Sequence, residues 1–456
     1  MTVCVLDIGK TNIKLVLLEA DGRTVVSRSR PNRVRAGPPY PHFDVAGIER
    51  WIVATLAELP GRDAIESIVT VAHGCGAALV AGDALALPVL DYEFAGPDAT
   101  AVAYAAAADG FAADATPALP LGLLLGRQFF WQARHFPAAF ARVTDILPNP
   151  QFWAWRLSGV KAAEITTIGC HGGLWRPAER RWSALAEREG WAALFPPLRH
   201  AWDTLGPPRP EIVAATGLDP ACRVVCGAHD SNVSFLAHRA SRQPPFTVIS
   251  TGTWTIVMAA GASLERLDAR RDMLANVDVF GDPVPTARFM GGREFAAVAG
   301  EANGATATLA DAARVITRGT LVRPAFVAGS GPFAGHPGAI LGAAPETPAE
   351  RVALAGLYLA LVVDVMLDLL GAHPPFVIEG PSAADAVFLA ALARLRPDAE
   401  VVASLDGTGT GAGALVLAGW AGGAAPQPAG RSVSGDGLAG VADYRERWRA
   451  ALPVHR

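Results

Sequence analysis

The opening stretch constrains the fold more than any other. Val3-Cys4-Val5-Leu6 is a short apolar run, Asp7-Ile8-Gly9-Lys10-Thr11-Asn12 follows, and Ile13-Lys14-Leu15-Val16-Leu17-Leu18 returns. Apolar runs bounded by turn residues read as buried strands, and Asp21-Gly22 marks a hairpin turn into Thr24-Val25-Val26. The chain therefore opens as a β-meander with a polar, glycine-containing tip. Backbone N–H groups at such a turn point at an anion, and a threonine hydroxyl adds a donor.

Two familiar glycine motifs fail here. Gly9-Lys10-Thr11 matches the tail of a P-loop, but the motif's first glycine falls on Cys4, and residues 3–6 are needed as the strand. Gly407-Thr408-Gly409-Thr410-Gly411-Ala412-Gly413 has the glycine density of a dinucleotide fingerprint but no βαβ unit after it. A second strand–turn–strand does match the first: Phe246-Thr247-Val248-Ile249-Ser250, then Thr251-Gly252-Thr253-Trp254, then Thr255-Ile256-Val257-Met258. A polar residue, a glycine and a threonine stand at both tips. This is either an internal duplication, with two lobes each presenting a phosphate hairpin, or the common look of β-hairpins.

Between them, Val224-Val225-Cys226-Gly227 is a strand that delivers His229-Asp230-Ser231-Asn232 to a helix over 231–239. Asp230 reads as a helix N-cap or as a carboxylate that takes the proton of an attacking hydroxyl. Phosphoryl transfer asks mainly for positioning, charge neutralisation and such an acceptor. Asp7, at the end of the first strand, is placed to hold Mg2+ through water, because Mg2+ prefers few carboxylates and several waters.

A chain of 456 residues is too long for one core, so two domains are expected, divided at Gln243-Pro244-Pro245. The expected division is an N-terminal lobe over 1–242, a C-terminal lobe over 246–420, and a loose connection and terminal helix over 421–456. Further helices are expected over 44–59, 99–113, 129–140, 149–157, 382–395 and 414–419. A net charge of −4 gives no support to a nucleic-acid or anionic-membrane surface. Cys4, Cys75, Cys170, Cys222 and Cys226 are odd in number and irregular in spacing, which predicts a reduced, cytoplasmic setting. Cys222 and Cys226 lack a second ligand pair, so no metal site is expected there. The N-terminus has no basic region before its strand, so no signal peptide is expected. The apolar helix over 354–370 carries Asp364 and Asp368 and reads as buried rather than membrane-spanning.

Taken together, these segments resemble the FGGY carbohydrate kinases over roughly residues 3–420. Residues 5–14 look like that family's first phosphate motif. Val71-Ala72-His73-Gly74 is similar to its first sugar-contact segment, and Cys226-Gly227-Ala228-His229-Asp230 to the segment with the catalytic base. Ser250-Thr251-Gly252-Thr253-Trp254 looks like the second phosphate motif, and Glu379-Gly380-Pro381-Ser382 with Gly411-Ala412-Gly413-Ala414 like the adenosine segments. The resemblance implies an α/β, two-lobe actin/hexokinase/Hsp70-like (ribonuclease H-like) fold, with mixed five-stranded sheets flanked by helices and an active-site cleft between the lobes. It implies ATP and Mg2+ as cofactors, Asp230 as general base and Asp7 on the metal. Gly9, Lys10, Thr11, Asn12, Lys14, Thr251, Gly252 and Thr253 would serve the phosphates, and Gly380, Pro381, Gly411 and Ala412 the adenosine. His73, Gly74, His229, Asp230 and Ser231 would line the sugar pocket.

His229-Asp230-Ser231, Gly252-Thr253-Trp254 and Met290-Gly291 are nearest to the rhamnulokinase and fuculokinase branch, which implies a 6-deoxy-ketohexose phosphorylated at O1. A pentulose or polyol kinase is the alternative, and a sugar- or nucleotide-binding sensor without catalysis is the alternative from another class. The expected partners are a small sugar and ATP, with no nucleic acid and no membrane, and the family allows a homodimer. Three departures stand out. Asp91-Tyr92-Glu93-Phe94-Ala95-Gly96 occupies the place of the family's Trp-x-Asp-x-Arg run, Lys10 replaces a small residue, and Pro381 replaces a second glycine. Lys10 reads as a phosphate contact or as a solvated surface charge.

Overall fold

The computed structural model of the chain describes residues 1–170, 172–405, 409–420 and 428–452. Two compact units result: Met1–Ser241 with Ala275–Pro283 and Gly409–Pro426, and Arg242–Leu274 with Val284–Thr408 and Gln427–Arg456.

The first unit is built on a mixed sheet. Strand β1 (Thr2–Ile8) runs antiparallel to β2 (Asn12–Glu19), which runs antiparallel to β3 (Thr24–Pro31). On the other side β1 pairs in parallel with β4 (Ser67–Ala72), and β4 in parallel with β5 (Arg223–His229). Successive side chains of a strand face opposite sides, so β1 feeds two cores. Cys4, Leu6 and Ile8 pack with α1 (Val45–Glu58) and α2 (Asn149–Ser158). Val3 and Val5 pack with α3 (Asp230–Arg239) and the helix Gly409–Gly419. Burial on both faces is why the opening run is continuously apolar.

The second unit repeats the plan. Strand β6 (Phe246–Thr251) is antiparallel to β7 (Thr255–Ala260), and β7 to β8 (Pro283–Phe289); β9 (Phe376–Glu379) is parallel to β6, and β10 (Val401–Ser404) to β9. Order and directions match the first sheet strand for strand. The two hairpin tips, β1–β2 and β6–β7, therefore stand at equivalent places, which favours internal duplication over chance likeness. Added edge strands such as Thr204–Gly206 and Gly430–Ser432 make the sheets six- and seven-stranded, where five each were expected.

Several expectations need correction. The segment Ala275–Pro283 and the helix Gly409–Gly419 were assigned to the C-terminal lobe but pack with the first unit. The reason is apolar: Ala414, Leu417 and Ala418 complete the core under Val3, Val5 and Val69. The same helix starts at Gly409, earlier than the expected 414; Gly407 and Thr408 of the glycine-rich loop lie outside the described residues. The helix over 99–113 is broken into Ala101–Ala107 and Phe111–Asp114 by Gly110, at φ +84°. That over 129–140 becomes Leu125–His135 and Pro137–Phe140, divided at Pro137. Residues 421–427 of the expected loose connection lie outside the described residues, but Gly430–Ser432 is an ordered edge strand and Val441–Ala450 a docked helix. Trp448 Nε1 donates to the Val322 carbonyl at 2.6 Å.

The apolar helix runs Pro348–Leu370, capped by the Thr347 side chain and ended by Gly371 in the left-handed region. It is long and apolar enough to cross a membrane by composition, yet 83% of its apolar window is buried within the second unit. Asp364, fully buried on it, pairs with Arg396 at 2.7 Å and Arg449 at 3.2 Å. All five cysteines are buried and none is in a disulfide, and no cluster of metal-ligating side chains occurs among the described residues.

Candidate active site in the first unit and two turns in the second

The strand β5 does not run evenly to Asp230. Its pairing with β4 shifts register between Val225 and Ala228, and the extra residue is Gly227 at φ +75°. A Cβ at Gly227 would lie 1.8 Å from the Thr70 carbonyl oxygen, so only glycine fits this bulge. Bulges re-aim the residues that follow them. Gln151 of α2, fully buried, donates from Nε2 to the carbonyls of Cys226 (3.1 Å) and Gly227 (2.9 Å) and pins the bend. The His229 N–H donates to Thr166 Oγ1 at 3.0 Å, and that hydroxyl donates to the buried Glu164 at 2.5 Å.

Asp230 is the first residue of α3, and His229 takes the N-cap position without a side-chain cap. The N-cap reading of Asp230 thus falls away. Its Oδ1 accepts from Ser231 N (2.6 Å) and Ser231 Oγ (3.2 Å) and lies 3.1 Å from His229 Nε2. Among the described residues its Oδ2 accepts nothing. The carboxylate is 34% exposed. Burial acts to raise its pKa, but the charge and hydrogen bond of His229 outweigh it and hold Asp230 below the ordinary carboxylate range. His229 Nδ1 bonds Asn232 Oδ1 at 2.7 Å, because Asn232 Nδ2 is committed to the Val277 carbonyl at 2.5 Å. The ring is thereby a donor at Nδ1. Burial would lower its pKa, but Cys170 and Asp230 beside it raise it well above the ordinary value. The pair stands as imidazolium and carboxylate.

His73 follows β4. Its Nδ1 donates to the Gly74 carbonyl at 2.7 Å and its Nε2 meets Asn149 Nδ2 at 3.3 Å, so burial keeps the ring neutral with a lowered pKa. A Cβ at Gly74 would meet His229 Nε2 at 2.7 Å, which brings His73-Gly74 against His229-Asp230-Ser231 as one wall.

At the first hairpin, Asp7 stands opposite Lys14 in the β1–β2 register. Burial, with Asp230 as a second cause and Lys14 opposing, pushes Asp7 up to about 7. Thr11, Asn12 and Lys14 are exposed at or beside the tip. Asn32 braces the turn from behind: its Nδ2 donates to the Gly9 carbonyl at 2.8 Å and its N–H to the Thr11 carbonyl at 2.8 Å. Lys10 turns away from the tip to pair with Asp91 and Glu93.

The second unit holds the other turn. Thr251 Oγ1 donates to the Glu379 carbonyl at 2.5 Å and accepts from Ser382 N at 3.0 Å. Its hydroxyl is thus committed to the backbone, whereas Thr253 at the tip is exposed. Gly380, at φ +76°, allows this approach, since a Cβ there would lie 1.9 Å from the Thr251 carbonyl oxygen. Pro381 then opens a short helical turn. At Gly252 a Cβ would meet nothing nearer than 3.8 Å, so no internal contact demands glycine. Gly411 and Ala412 sit on the helix Gly409–Gly419 in the first unit, apart from the unit that holds Gly380 and Pro381.

The chain resembles known proteins along these same segments. Residues 243–427 match the family described as "Carbohydrate kinase FGGY, C-terminal domain". A carbohydrate kinase from Novosphingobium aromaticivorans is 37% identical in its solved structure, with a TM-score of 0.89 over 98% of this chain and 97% of that one. The chain belongs to the FGGY carbohydrate kinase family. An L-fuculokinase from Haemophilus influenzae is 27% identical over 135 residues, a match that spans 28% of this chain and 27% of that enzyme's length. A xylulose kinase from Rhodospirillum rubrum is 18% identical, and with a TM-score of 0.79 over 99% of this chain and 98% of that one it shares the fold.

In this FGGY kinase, four supporting residues escaped the sequence reading: Asn32 as a brace, Gln151, Glu164 and Thr166. Each is a buried polar side chain; Asn32, Gln151 and Thr166 take their meaning from contacts distant in sequence, and Glu164 from Thr166. Gln151-Phe152-Trp153 offered the one usable signal, a glutamine in an otherwise apolar helix segment. The residues at Asp7 fit a magnesium ion. A half-buried carboxylate that accepts no side-chain or backbone hydrogen bond among the described residues, with a second carboxylate near enough to raise its pKa, suits a cation that keeps most of its waters.

Proposed function

We propose that this FGGY kinase transfers the γ-phosphoryl group of ATP to a hydroxyl of a small ketose, a 6-deoxy-ketohexose such as L-fuculose or L-rhamnulose at O1. The observation that carries the reading is the Asp230 carboxylate: ionised by its His229 partner, partly exposed, and with Oδ2 left open to accept a proton. Positioned carboxylates of this kind serve as general bases in phosphoryl transfer. His73, Gly74, His229 and Ser231 surround it and would orient the sugar. The open space at Gly252 and the braced turn at Gly9 support close approach of phosphate oxygens to backbone N–H groups. Asp7 would hold magnesium through water, and magnesium supplies neutralisation of phosphate charge. In the first unit Thr11, Asn12 and Lys14 would serve phosphate; in the second, Thr253 would serve phosphate and Gly380 and Pro381 adenosine. The partial identity to the L-fuculokinase supports the deoxy-ketohexose. Cysteines outside any disulfide and the need for ATP support a cytoplasmic setting.

ADP release with ATP and Mg2+, measured over 6-deoxy-ketohexoses, pentuloses and polyols, tests the reading. Turnover should be fastest with a 6-deoxy-ketohexose; a pentulose or polyol preference would replace the substrate, and sugar binding with no turnover would replace the kinase by a sensor. Asp230→Asn should lower kcat by about a hundredfold or more while the protein stays folded. Near-normal turnover in that variant would sink the base assignment.

A further inference from the structure

Lys10 is held inside the first unit. Its Nζ donates to Asp91 Oδ1 and lies 3.3 Å from Glu93 Oε2. It stands 5.1 Å from the centre of the Phe43 ring and 5.0 Å from that of Tyr92. The Lys10 side chain is 17% exposed and that of Asp91 10%, whereas Glu93 is 61% exposed. The Lys10–Asp91 pair is therefore largely withdrawn from solvent, where each charge depends on the other, while Glu93 contributes as a screened neighbour. The same two rings flank His73, whose ring centre lies 5.2 Å from Phe43 and 5.3 Å from Tyr92. Through Gly74 that wall continues to His229 and Asp230.

The charges along this wall are arranged in pairs. Lys10 is matched by Asp91 and His229 by Asp230, and Glu93 leaves an excess of negative charge. A sugar hydroxyl can bond to the Tyr92 hydroxyl or to the remaining donors of Lys10. A carboxylate placed there would face Asp91, Glu93 and Asp230 with no uncompensated cation among the described residues. We propose that the Lys10–Asp91 pair sets acceptor specificity, so that the site takes neutral polyhydroxylated acceptors and turns away sugar acids. Discrimination of this sort rests on repulsion as much as on attraction. The inference builds on the kinase reading above, and Lys10 then serves the acceptor rather than the phosphates.

Titration calorimetry without nucleotide, with L-fuculose, D-xylulose and D-gluconate as probes, tests it beside ADP-release kinetics. Asp91→Asn should weaken the preferred neutral sugar about tenfold and bring D-gluconate into measurable range, because it removes the negative excess and leaves Lys10 with only the solvent-screened Glu93 as a charged partner. Lys10→Met should weaken the neutral sugar to a similar degree without gaining D-gluconate, and Lys10→Arg should recover much of the loss. KM for ATP should move by less than about twofold in all three. Unchanged sugar affinity in Asp91→Asn and Lys10→Met overturns the proposal, as does a raised KM for ATP with sugar affinity intact. Failure of the wild-type protein to bind any of the neutral probes overturns it too. Sugar binding that follows the expected pattern without any turnover would support the specificity role and remove the kinase reading alone.

Discussion

Asp230 meets His229 at 3.1 Å, and that pair governs the pH range in which the carboxylate can act as a base. Burial alone would raise its pKa; the imidazolium is what keeps it low. His229→Gln removes the charge, so the pKa of Asp230 should rise. The acidic limb of the pH profile of kcat/KM should then move to higher pH, which a rate series at saturating ATP will show. Glu164 gives a stability prediction with the opposite arithmetic. Burial pushes it up to about 8 from an ordinary 4.5, so it stays protonated in the folded chain where the unfolded chain has already ionised. The stability it contributes is complete below 4.5 and is lost as the pH rises through about 8. Glu164→Gln mimics the protonated form, and should flatten a pH dependence worth on the order of 5 kcal/mol. Denaturant melts at acid and mildly alkaline pH, compared between the two proteins, check this. At this scale the sequence separated the chemistry from its supports. His229-Asp230 stands out through the family resemblance, since alone Asp230 at a strand-to-helix junction reads as a helix cap or as a proton acceptor. Thr166 was not legible, because His229 lies 63 residues on, and Glu164 reaches the site only through Thr166.

The helix α3 carries Asp230, and its position depends on the helix Gly409–Gly419 packed beside it. A Cβ at Gly413 would lie 1.8 Å from the Val233 carbonyl oxygen on α3, so the backbones meet closely only because that residue is glycine. Gly413→Ala must push the helices apart. Overpacking of this kind costs about 1–3 kcal/mol, so urea melts should show the loss and kcat should fall as α3 shifts. A variant with unchanged stability and kcat would remove the role assigned to this contact. The glycine-rich stretch thus holds, two residues after Gly411, one glycine that helix packing explains. The helix boundaries missed by the sequence reading have local causes of a similar kind. Gly110 and Pro137 each interrupted a run whose apolar spacing alone looked continuous.

At the scale of the whole molecule, each unit has its own sheet and its own core. In the second unit the long helix Pro348–Leu370 buries Asp364 against Arg396. Removing one partner of a buried pair leaves a charge uncompensated at about 3–5 kcal/mol, moderated here by Arg449. Arg396→Ala should therefore lower the Tm of the transition that unfolds the second unit, as calorimetry would show. The sequence by itself determined the family, the two strand–turn–strand tips and the sheet plan around them. Alternation of apolar residues and the chemistry of turns act over a few neighbouring residues, and a chain carries those signals on its face. Only the tertiary structure decided where Lys10 goes, which of Asp230's oxygens stays open, why Gly227 and Gly413 must be glycine, and which unit claims 409–419. Those outcomes depend on contacts between residues tens to hundreds of positions apart, which no local pattern encodes. The opening hairpin is a turn braced by Asn32, while its lysine turns to Asp91, whose charge it is close enough to compensate.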